Sequence, residues 1–187
     1  MLIVLYALDW EIRRAASVSA EPTIQQIRHQ WWRDALEEID AGQTPRAHPV
    51  AKAFAGVLRD GLLSRGDLEA LINAREAVLF PGEPNDAPSP AEALARAASA
   101  ALLCDPTEEA VQALTPAIAA YEAARAGRRT DAEEALAAFN ATKNMLPAAL
   151  WPAAAPAALV GAYLKAPQIG ELNRRWRLWR AVVLGWV

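Results

Sequence analysis

The stretch that most constrains the fold runs from Thr23 to Ala51, TIQQIRHQWWRDALEEIDAGQTPRAHPVA. Pro22 presets φ for a first helical turn, and Ile24, Ile27, Trp31, Ala35 and Ile39 recur at three- and four-residue steps, predicting a helix with one apolar face. Gln25, His29, Arg33, Glu37 and Asp40 keep the same period and are expected on the opposite, polar side. Trp32 and Leu36 widen the apolar stripe enough to touch two neighbouring helices. Gly42 supplies the stop, and Pro49 behind His48 opens the next helix, since proline fits a first turn where its missing N–H costs nothing.

The remaining residues read as more of the same. Alanine, leucine, glutamate and arginine dominate, and no alternating β-branched run interrupts them, so the expected class is all-α. Helices are predicted over Leu2 to about Ala16, Pro49 to Arg59 with Gly61 as its stop, and Ser64 to about Leu79, where Ser64 and Asp67 have the spacing of a capping pair. Four prolines with Gly82, Asn85 and Asp86 make residues 81–90 a loop. Beyond it, Ser89 and Pro90 open a fifth helix to about Leu103, and Asp105 and Pro106 a sixth, bent at Pro116 and ended by Gly127. Asp131 to Thr142 is a short seventh, the prolines at 147, 152 and 156 break the next segment, and helices follow at Ala157–Leu164 and Leu172–Val183.

Composition sets limits on function. The 187 residues suit a single domain with its own core. A balance of 19 basic against 22 acidic residues gives a formal net charge of −3, without the basic field that nucleic-acid binding needs. Cys104 is the one cysteine, which rules out an intrachain disulfide or a thiolate metal cluster and suits a reducing compartment. The apolar start MLIVLYAL meets Asp9 and Glu11 too early to span a bilayer, and it lacks the basic start and cleavage site of a signal peptide. These features read as a cytoplasmic protein.

The runs IRHQWWRDALEEI, HPVAKAF and LEALINAREAVL together resemble the N-terminal half of the squalene/phytoene synthase family. The resemblance covers residues 1–80 well and 91–187 loosely, and it implies a single-domain, abridged helical bundle of the isoprenoid synthase type. Relative to the family's longer chains, an N-terminal segment and a helical pair around Ala120 to Thr130 are expected to be missing. Active members join two prenyl diphosphates head to head, using magnesium held by two aspartate pairs. Each pair is spaced four residues apart so that both carboxylates face one cleft.

Aligning YALDWEIRRAAS on its tyrosine places Arg13 and Ser17 where the first aspartate pair belongs, with Arg14 replacing an acidic neighbour. A guanidinium stays protonated and repels a metal ion. Nothing between Ala91 and Val187 matches the second pair, and Val78 stands where an aspartate often follows the Arg75–Glu76 pair. Asp9 and Glu11 make poor substitutes, because two residues on a helix lie about 200° apart and cannot share one ion.

The sequence therefore supports two readings. One is a non-catalytic member resembling an assembly factor for respiratory complex I, which keeps Glu11 and Ile12, Arg28, Gln30, Trp31 and Trp32, His48 to Ala51, Arg75 and Glu76 without the aspartates. It implies a protein partner and no cofactor, with Arg28, Arg33 and Arg75 expected to pair with Glu11 or Glu76 across the former cleft. The other is a prenyl transferase, or one subunit of one, in which Arg13, Arg14 and Arg28 grip a diphosphate and magnesium is the cofactor.

The C-terminal helix adds a separate expectation. Leu172, Trp176, Trp179, Val183 and Trp186 form one stripe, with Arg174, Arg177 and Arg180 away from it. Such a stripe ordinarily packs a terminal helix onto its bundle, and tryptophan beside arginine also suits contact with a membrane surface, here peripheral to the inner membrane. Exposed tryptophans would equally favour a homodimer or a partner protein.

Overall fold

The computed structural model describes residues 1–18, 21–81, 87–103, 105–166 and 168–184, and for residues 15–18 and 184 the backbone only. The expectations for Cys104, Trp186 and the centre of the proline-rich loop lie outside the described residues, as does that for the side chain of Ser17. The described chain is all-α, as the isoprenoid synthase type requires. It divides into two compact units, Met1–Ala101 and Leu102–Val187.

The first unit holds α1 (Leu2–Val18), α2 (Pro22–Asp40), α3 (Pro49–Arg59), α4 (Arg65–Leu79) and nearly all of α5 (Pro90–Leu102). Helices α1 to α4 pack on one another through Leu5, Leu8 and Ile12, Trp32 and Leu36, Phe54, and Leu68, Leu71 and Ile72, all buried. Removing each such side chain from water contributes roughly 1.5–3 kcal/mol. α5 is built mainly of alanine and is buried along most of its length.

Local chemistry explains the helix ends. Ser64 Oγ accepts from the Asp67 N–H at 3.1 Å while Asp67 Oδ2 accepts from the Ser64 N–H at 3.0 Å, completing the capping box. At α3 the cap is the imidazole of His48, whose Nδ1 accepts from the Val50 N–H at 3.3 Å. Trp31 and Trp32 hold that ring edge-on, with centroids 5.7 and 5.0 Å away. Helices α2 and α3 end with left-handed glycines, Gly42 and Gly61, at φ 74° and 66°. The next residue's N–H then reaches back to a carbonyl inside the helix, Gln43 to Glu38 at 2.8 Å and Leu62 to Val57 at 3.2 Å.

The apolar side expected for α2 holds at Ala35 and Ile39 and at the widening Trp32 and Leu36, and is corrected at Ile24, Ile27 and His29. The buried residues are His29, Trp32, Ala35, Leu36 and Ile39, whereas Ile27 is 63% exposed and Ile24 sits at the surface. The apolar period admits either of two overlapping stripes, and the packed one centres on Trp32 and Leu36 because the larger contact lies there.

The second unit begins with a helical hairpin, α6 (Glu108–Arg125) and α7 (Arg129–Thr142). Gly127 turns it at φ 74°, and the Arg128 N–H returns to Ala123 O at 3.0 Å. α6 starts later than expected because Thr107, rather than Asp105, caps it, accepting from the Ala110 N–H at 3.2 Å. It runs through Pro116 as one helix. α7 starts earlier than expected, at Arg129 instead of Asp131. The proline-broken stretch forms 3-10 turns at Lys143–Met145, Ala148–Leu150 and Ala155–Leu159, with α8 (Trp151–Ala154) and α9 (Val160–Tyr163) between and after them. Ala157–Leu159, expected as α-helix, is therefore 3-10.

Ala120, Ala123, Ala124, Ala132 and Val160 form a tight core inside a rim that includes Tyr121, Leu136 and Tyr163. The final helix, α10 (Glu171–Leu184), packs on Ala155–Leu159 and α8. It does so with the face opposite its apolar stripe, since Ala181 is fully buried and Trp176 and Trp179 are 57% and 50% exposed. The expectation that the stripe seats this helix on the bundle is corrected: small alanines on both sides of the contact allow a close approach that tryptophans would prevent.

Candidate functional site

α1 buries Leu5, Leu8, Asp9 and Ile12 on one stripe, so a carboxylate lies where the period calls for a hydrophobe. Asp9 is fully buried, a costly position for a charge without compensation. Compensation comes from α4, where Arg75 Nε donates to Asp9 Oδ1 at 2.8 Å and Nη2 lies 2.7 Å from the same oxygen. Arg13, one turn along α1, places Nη2 3.0 Å from Asp9 Oδ2. One carboxylate thus sits between two guanidinium groups, and α1 is pinned to α4 by charge as well as by packing.

A second group joins α2 to α4. Arg33 pairs with Glu76 and donates to Asn73 Oδ1 at 2.8 Å. His29, fully buried beside them, has Nε2 3.4 Å from the Ile12 carbonyl and Nδ1 3.9 Å from Glu76 Oε1. The second distance exceeds a hydrogen bond, and Nδ1 makes none among the described residues. Burial pulls the His29 pKa below its ordinary value, partly opposed by the Glu76 carboxylate and the Ile12 carbonyl. The ring is therefore favoured neutral, with the proton on Nε2 serving Ile12.

The residues expected at this cleft are brought together only in part. Arg33 meets Glu76. Arg75 meets Asp9, a partner the expected pairing did not name: Asp9 points into the α1–α4 contact. Glu11 lies 3.6 Å from Arg14, whose guanidinium also stacks 5.1 Å from the Trp10 ring centroid. Arg28 is exposed on α2, and Val78 is 63% exposed on α4. From the sequence Asp9 is weighed only as a metal ligand beside Glu11 and His29 is set on the polar side of α2, although Asp9 carries a readable signal of burial: a lone carboxylate in register with Leu5, Leu8 and Ile12.

The arrangement does not fit a magnesium diphosphate site. Arg13 holds one motif position with a positive charge, Val78 has an apolar side chain, and the buried carboxylate of Asp9 is engaged by Arg75 and Arg13. Among the described residues no three His, Cys, Asp or Glu side chains gather as a metal-holding group.

The first unit is all-α, and its first, second and fourth helices meet at a charged seam. A family model described as squalene/phytoene synthase matches residues 1–86, and over those residues the chain is similar to that family. No curated protein and no solved structure matches the chain.

Proposed function

We propose that this is a non-catalytic member of the squalene/phytoene synthase family that works through protein interaction, in an assembly role of the kind the resemblance to a respiratory complex I factor implies. One observation carries the reading: Arg13, at a position where the family resemblance expects a metal-holding aspartate, is engaged with Asp9 alongside Arg75. That seam ties α1 to α4, and it sets a guanidinium paired with a carboxylate where the resemblance expects a metal-holding aspartate. Ionising an allylic diphosphate without a metal leaves the developing charge without its main stabiliser.

The test is magnesium-dependent release of pyrophosphate from farnesyl or geranylgeranyl diphosphate by the folded full chain, paired with co-purification from the native cell. No release together with a stoichiometric protein partner supports the reading. Turnover that requires magnesium overturns it in favour of a prenyl transferase or a subunit of one.

A further inference from the structure

α10 inverts the ordinary layout of an amphipathic helix at the end of a bundle. Its small side, around Ala181, faces the bundle, while Leu172, Trp176, Trp179 and Val183 stand outward at 85%, 57%, 50% and 56% exposure. At about 100° per residue these four share one side, and Arg175 and Arg180 fall on its two flanks. Trp176 and Trp179 are stacked, with ring centroids 5.1 Å apart and planes at 15°. They form a flat aromatic ledge where a globular protein would normally place polar side chains.

The charge on this helix differs from that of the whole chain. α10 carries four arginines against Glu171 alone, in a protein of formal net charge −3. Glu171 bridges Arg174 and Arg175, which orders the first turn while leaving the helix net positive. Arginines flanking an indole ledge can lay their stems along an apolar surface and keep their guanidinium groups among anionic headgroups. A two-fold contact between copies would set these like-charged helices against each other, which disfavours a second chain as the occupant. The 14 described residues of α10 span roughly 21 Å, and with four arginines among them they suit lying in a bilayer interface. Among the described residues no helix is long and apolar enough to cross a membrane.

We propose that α10 docks the protein on an anionic lipid surface, with Leu172, Trp176, Trp179 and Val183 in the headgroup–acyl boundary and Arg175 and Arg180 pairing with lipid phosphates. The experiment is co-sedimentation of the full chain with phosphatidylcholine vesicles, with and without phosphatidylglycerol, alongside sedimentation velocity without lipid. The expected result is binding to the anionic vesicles that weakens as salt is raised. It should fall at least about tenfold in Trp176→Ser/Trp179→Ser and about fivefold in Arg175→Glu. Both tryptophans are half exposed, so an unchanged thermal melt of the double variant serves as the folding control. Wild-type protein that stays in the supernatant, or binds neutral vesicles equally well, overturns the proposal. So does a dimer in solution that the double variant dissociates while vesicle binding is absent, which assigns the ledge to a second copy.

Discussion

At the residue scale, the determining fact is a buried Asp9 shared by Arg75 and Arg13. Because Arg75 is itself nearly buried, Asp9→Ala removes the carboxylate that its guanidinium faces and should cost about 3–5 kcal/mol, measured by urea denaturation. Asp9→Leu/Arg75→Met, which removes both charges and keeps the volume, should recover most of that loss. A loss under about 1 kcal/mol in the single variant would mean that the seam is not structural.

His29 gives a pH dependence of definite sign. Its folded pKa lies below the ordinary 6.5 through burial, so below that pH the unfolded chain binds more protons than the native one. The contribution is fully present above pH 6.5 and is lost as pH falls from there through the depressed folded value. His29→Gln, which can still donate to Ile12 O, should flatten the decline when melting temperatures are compared at about pH 8 and pH 5. An unchanged slope would place the acid sensitivity elsewhere.

At the element scale, helix starts and stops follow from short-range chemistry. Ser64 with Asp67, Thr107, and the left-handed glycines at 42, 61 and 127 each act within a few residues. The same substitution should therefore act with opposite sign at two glycines. Gly127→Ala forces a side chain into positive φ and should destabilise by about 1–2 kcal/mol. Gly161→Ala, at an exposed helical position with open space around it, should stabilise by about 0.4–1 kcal/mol. Thermal melts of the two variants check both signs. Which face of a helix is buried is not local, and there the reading from periodicity is offset on α2, where Ala35 and Ile39 are in as expected but His29 is in and Ile27 out, and reversed on α10, where alanine is in and tryptophan out.

At the scale of the whole molecule, the family match and the charged seam both fall in the first unit, and the second is an alanine-rich set of helices around a small core. A turnover assay on the whole chain is thus a question about the first unit's seam. The sequence by itself determined the helical class, most helix limits, the resemblance of residues 1–86 to one family and the absence of aspartate at Arg13 and Val78. These depend on propensity, caps and residue identity, all properties of neighbours along the chain. Only the tertiary structure decided that Asp9 meets Arg75, 66 residues away, that His29 is buried, and that α10 turns its tryptophans outward. Such choices arise from which surfaces pack most closely, and a one-dimensional pattern with two overlapping apolar stripes leaves them open.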